Sequence, residues 1–64
     1  MLNFYYRAIW EDRDGWQITF SFNVHACCRK SAEVKAMELA KWYDKKVPPY
    51  FPFKELILTM TETI

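Results

Sequence analysis

This chain of 64 residues has one glycine, Gly15, one histidine, His25, and two cysteines, Cys27 and Cys28, which are neighbours. Each scarcity excludes a class of chemistry. A single glycine leaves no phosphate-cradling glycine loop. A structural zinc site takes four ligands and a catalytic one three that converge, whereas His25, Cys27 and Cys28 form the only cluster with metal-ligand atoms and both thiols would have to turn toward one ion. Adjacent cysteines seldom meet disulfide geometry, so a disulfide-stapled secreted miniprotein is excluded too. A Cys–His pair acting as nucleophile and base would need an orienting third group and a pocket, for which so small a domain leaves little room. Glu11, Asp12 and Asp14 sit where a hairpin tip would keep them solvated, unsuited to acid–base work. We assign no catalytic residue, no metal and no cofactor, and expect no enzyme.

There is no apolar run near the roughly 18 residues that a membrane span requires, and MLNFYYRAIW lacks the basic start, apolar middle and small-residue cleavage site of a signal peptide. The expected place of the chain is the cytoplasm of a bacterial or infected host cell. Net charge is +1, without the basic excess that announces nucleic-acid binding by composition. The charge is unevenly placed, however. Arg29 to Lys54 holds seven Lys or Arg against Glu33, Glu38 and Asp44, while Glu11 to Asp14 is acidic. Such asymmetry suits an oriented partner rather than general stickiness.

What the chain does have is bulk. Twelve residues are Phe, Tyr or Trp, and each can bury roughly 150–250 Å², which a domain this small needs to build a core. Phe4 to Trp10 alternates as a strand with both faces partly apolar. Residues 16 to 24 alternate more sharply, with Trp16, Ile18, Phe20, Phe22 and Val24 on one face and Gln17, Thr19, Ser21 and Asn23 on the other. Arg13, Asp14 and Gly15 suit a three-residue hairpin loop with Gly15 at positive φ. That loop pairs Trp10 with Ile18, Ala8 with Phe20 and Tyr6 with Phe22. Ser31 is the expected N-cap of a helix, with Glu33 in its first turn. Ala32, Ala36, Leu39, Ala40 and Tyr43 form its buried stripe; Trp42 lies at the edge beside Lys35 and Glu38, and Val34 lies off it. Pro48, Pro49 and Pro52 end the helix. Glu55 to Ile64 is a last strand, with Leu56, Leu58 and Met60 on one side and Ile57, Thr59, Thr61 and Thr63 on the other.

A right-handed crossover then predicts one α+β domain, residues 1–64: two layers, β-β-α-β, a three-stranded antiparallel sheet of order 2-1-3 with one helix on one face. Tyr5, Arg7 and Ile9 fall in the middle of the sheet face the helix leaves open. Trp42, Lys45, Lys46, Tyr50 and Phe51 gather with Phe53 around the helix end. Aromatics and Arg are the residue types that dominate binding hot spots, so these eight, from Tyr5 to Phe51 with Phe53 set aside, are the candidate partner-binding residues. The competing role for Tyr50, Phe51 and Phe53 is to close the end of the core. Outer strands can also pair with a partner's strand or with a second copy, giving a homodimer. Lys41, Lys45 and Lys46 with Arg29, Lys30 and Trp42 offer the mixture used by single-stranded nucleic-acid binders, although only Tyr5 is placed to stack on the open sheet face.

The run YYRAIWEDRDGWQITFSF, then HAC, then SAEVKAMELAKW and VPPYFP, resembles the N-terminal domain of HicB-type antitoxins. ELAKWYDKKVPPYF and the strand, strand, helix, strand layout are similar to the small inhibitor of host RNA polymerase made by T7-like phages. Both resemblances imply a compact cytoplasmic domain that binds and neutralises another protein, a toxin or a nucleic-acid-processing enzyme.

Overall fold

The computed structural model describes residues 1–64. Strand β1 (Leu2–Glu11), strand β2 (Gln17–Ala26), helix α1 (Arg29–Asp44) and strand β3 (Phe53–Thr63) follow in that order, and the antiparallel sheet runs β2-β1-β3. The expected two-layer α+β architecture is the one observed.

The hairpin forms for the reason its sequence gives. Gly15 takes φ 88°, where L side chains are strained. Its N–H donates to the Asp12 carbonyl at 3.1 Å, closing the turn. The Asp12 side chain braces the loop, accepting from the backbone N–H groups of Asp14 and Trp16, both at 2.9 Å. Trp10 therefore faces Ile18, Ala8 faces Phe20 and Tyr6 faces Phe22. Trp16 has the parity of Ile18 but is 73% exposed, beyond the cover of the helix.

Helix α1 starts earlier than the Ser31 cap implied. Arg29 is its first residue, Cys28 is the N-cap without a closed side-chain hydrogen bond, and no acidic residue lies in the first turn. Ser31 and Glu33 are thus inside the helix, which propagates back to the chain reversal after β2. Ala32, Ala36 and Ala40 are buried against the sheet. Side chains this small let the helix axis come close to the strands, and it lies nearest β2.

Strand β3 departs from simple alternation at two places. Tyr5 faces Met60 while Tyr6 faces Leu58, leaving Thr59 as an extra residue. Ile9 faces Glu55 while Trp10 faces Phe53, leaving Lys54 extra. Each bulge flips the side-chain parity beyond it. Met60, expected beside Leu56 and Leu58, therefore shares the open face with Tyr5 and is half exposed. Phe53 moves to the face of Trp10 and meets its ring edge-on at 5.4 Å.

The core has two parts. Phe4, Tyr6, Val24 and Ala26 pack on Ala32 and Ala36; Ala8 and Trp10 pack on Ala40 and Val47. Trp10 is fully buried, and its indole N–H donates to Asp44 Oδ1 at 2.7 Å. Phe20 and Phe22 stack on Tyr43, at 4.5 and 5.7 Å between ring centres. No helix is long and apolar enough to cross a membrane.

Candidate functional site

Helix α1 separates the candidate residues into two surfaces. On one side, a cleft of about 620 Å³ lies between the helix and the proline loop, lined by Met37, Lys41, Asp44, Phe51 and Phe53 among others. Pro48 ends the run from the helix, and the Phe51 N–H donates to the Pro48 carbonyl at 3.0 Å, so the chain reverses in a tight turn beside the helix. Phe51 fills the inner end and packs on the Trp10 half of the core. Tyr50 stands outside at 69% exposed, with its ring against Phe51 at 5.1 Å. Met37 and Phe53 are exposed at the cleft. Phe51 thus closes the core, as its competing role required; Phe53 touches the Trp10 ring but stays exposed, and Tyr50 is exposed too.

On the opposite side, Trp42 lines a shallower groove with Asn23, Val24, His25, Lys35, Glu38 and Leu39, between the helix and the edge of β2. Trp42 is 52% exposed. Lys46 places its ammonium 4.5 Å from the Trp42 ring centre, a cation–π contact. Trp42 and Phe51, grouped together by the sequence, therefore line different surfaces: a helix projects residues 37 and 41 to one flank and residues 38 and 42 to the other.

The open sheet face is less free than alternation suggested. A hydrogen-bonded ladder crosses all three strands: Asn23 Nδ2 donates to Asn3 Oδ1 at 2.8 Å, Asn3 Nδ2 donates to the Tyr5 hydroxyl at 2.9 Å, and that hydroxyl donates to Glu62. Glu62 accepting the phenolic proton, helped by burial and by its charge, raises the Tyr5 pKa above 10.0. Ile9 is 8% exposed, covered by its neighbours. Arg7 is exposed. Of the three open-face candidates, then, Arg7 is presented, Tyr5 is engaged in the ladder and Ile9 supports the others. Sequence reasoning missed the ladder because Asn3, Asn23 and Glu62 come from three separate strands.

Two smaller features complete the surface. At the hairpin base Glu11 accepts from Gln17 at 2.9 Å and pairs with Lys54 at 3.2 Å, and these contacts hold its carboxyl below the usual range. In the turn before the helix, Cys27 and Cys28 are both exposed and free. The Ser31 amide holds the Cys28 thiol below its ordinary pKa against the opposing effect of burial, with lesser help from the Cys27 side chain and the Lys30 amide. No group of three or more His, Cys, Asp or Glu side chains converges.

No protein-family model matches the chain, and no curated protein and no solved structure matches it. Fold and surface define it as a two-layer α+β domain presenting an aromatic and basic helix end.

Proposed function

We propose that this chain is a small protein-binding inhibitor or antitoxin-like protein, encoded by a phage or mobile element, that acts in the cytoplasm by covering a surface of a nucleic-acid-processing enzyme. The observation that carries the reading is the cleft at the helix end: Met37 and Phe53 stand exposed in it beside Lys41, and Tyr50 is exposed next to Phe51, which lines it. Aromatic residues and Met are enriched where protein interfaces bury their centres. The target class rests on the two resemblances in sequence layout. Arg7 on the open face and Trp42 with Lys46 on the other flank extend the surface a target can meet.

Direct binding of single-stranded nucleic acid is the second reading, favoured by Lys46 over Trp42, with Lys45 adjacent in sequence. The pairing of Tyr5 with Glu62 weighs against it, since a carboxylate beside the open-face aromatic repels phosphate.

The test is retention from nuclease-treated bacterial lysate on the immobilised chain at high salt, with Tyr50→Ala alongside. The inhibitor reading expects one stoichiometric protein on the wild type and its loss on the folded variant. Retention that vanishes with nuclease, together with oligonucleotide binding that weakens steeply with salt, would replace it with the second reading.

A further inference from the structure

We propose that the free edge of β2 pairs, antiparallel and about a two-fold axis, with the β2 edge of a second copy of this chain. The register is centred on Phe20 and seats Trp16 of each copy in the groove beside Trp42 of the other. This goes beyond the target reading, because the cleft that carries that reading lies on the opposite flank of the helix.

The hydrogen-bond phase of β2 comes first. The Asp12 N–H donates to the Trp16 carbonyl at 3.0 Å, so Asp12 and Trp16 form a hydrogen-bonded pair. Such pairs alternate along an antiparallel ladder. Ile18, Phe20, Phe22 and Val24 therefore bond to β1, and Gln17, Thr19, Ser21, Asn23 and His25 turn their backbone groups outward. The one outward group with a partner agrees: Lys35 Nζ donates to the His25 carbonyl at 2.7 Å. Beyond that lysine, the edge from Gln17 to Asn23 is open.

Edge strands are normally guarded by charge, proline, bulges or cover. Strand β3 has Lys54, Glu55 and Glu62 and both bulges. Strand β2, QITFSFNVHA, is ten residues long with no Asp, Glu, Lys, Arg, Pro or Gly. Two identical charge-free strands can lie side by side without the like-charge repulsion that would separate two copies of β3.

The open segment fixes the register. Using every free group from Gln17 to Asn23, and leaving the His25 carbonyl to Lys35, pairs Gln17 with Asn23 of the partner subunit and Thr19 with Ser21 of the partner subunit. Phe20 then meets Phe20 of the partner subunit on the helix side, and Ile18 meets Phe22 of the partner subunit. All of these apolar residues are only half-buried in one copy. One step further along, Trp16 of the partner subunit falls opposite Val24, in a pair of the closer, non-hydrogen-bonded kind. Val24 lines the groove with Leu39 and Trp42. One register thus accounts for an unguarded edge, for a groove beside it and for a tryptophan left 73% exposed by its own chain.

Sedimentation equilibrium decides it. The wild type should be a dimer of the 7.8 kDa chain, with a dissociation constant below about 100 μM. Trp16→Ala, at an exposed position, should weaken the dimer about tenfold or more. Ser21→Pro removes an edge N–H that β1 does not use, and should give a monomer with unchanged circular dichroism. Ser21→Lys and Thr19→Glu should each weaken self-association. Mixed, they should associate more tightly than either alone, since the two positions face each other across the axis. A wild-type monomer at about 1 mM overturns the proposal, as does a dimer indifferent to Trp16→Ala and to both Ser21 variants. A mixture no tighter than its components overturns the register.

Discussion

At the residue scale, Trp10 and Asp44 show how one polar atom constrains the fold. Trp10 is fully buried and its indole N–H has a single acceptor, Asp44 Oδ1, on the last turn of the helix. Removing the acceptor strands a buried donor, at a cost of about 1–3 kcal/mol. Asp44→Ala should therefore lower the unfolding free energy obtained from urea denaturation by that amount, moving the midpoint down, and Asp44→Asn, which keeps an acceptor, should recover most of it. An unchanged midpoint in Asp44→Ala would mean that water reaches the indole. Trp10 could be placed in the core from its alternation with Ala8 and Tyr6. Its acceptor could not, because Asp44 lies 34 positions away and reads as one more charge in a charged helix end.

At the scale of elements, the buried alanines decide how the layers meet. Ala32, Ala36 and Ala40 recur at four-residue spacing, and all are buried. A longer side chain at Ala36 has to push the helix off the sheet or adopt a strained rotamer, costing about 1–3 kcal/mol. Ala36→Leu should lose that much in chemical denaturation, whereas Val34→Leu, at a position 59% exposed, should stay within about 0.5 kcal/mol. Equal effects would show that the layers adapt freely. This stripe, the hairpin register and the strand order were legible in the sequence, since each follows from local periodicity and one glycine. The bulges at Lys54 and Thr59 were not. They arise where β3 meets β1, and no residue type in FKELILTM marks which members of the run are left unpaired.

At the scale of the whole molecule, only 12 of 64 residues are buried, so modest surface terms can move stability measurably. Glu11 has a lowered pKa in the fold through Gln17 and then Lys54. Its contribution is present above the ordinary 4.5 and is lost as pH falls through the lowered value. Tyr5, raised by Glu62, and Tyr6, raised by burial, contribute in the other sense, present below 10.0 and lost as pH rises through the raised values. Denaturant midpoints against pH should show a plateau falling at both ends. Glu11→Gln should flatten the acid limb, and Tyr5→Phe should flatten part of the alkaline limb, leaving the share of Tyr6. An acid limb unchanged in Glu11→Gln would remove the hairpin-base pair from the account.

The sequence by itself determined the order of the elements, the hairpin register with the face β2 buries, and the alanine stripe of the helix, because periods of 2.0 and 3.6 and a turn glycine act between near neighbours. It also marked most of the side chains that stay at the surface, among them Trp42, Arg7 and Tyr50. Only the tertiary structure decided how they are shared out. The helix sets Trp42 and Phe51 on opposite flanks, the ladder from Asn23 through Asn3 and Tyr5 to Glu62 occupies the open face, and β2 is the edge left unguarded. Those outcomes depend on contacts between residues distant in the chain, fixed by close packing and hydrogen-bond phase, which no local pattern encodes.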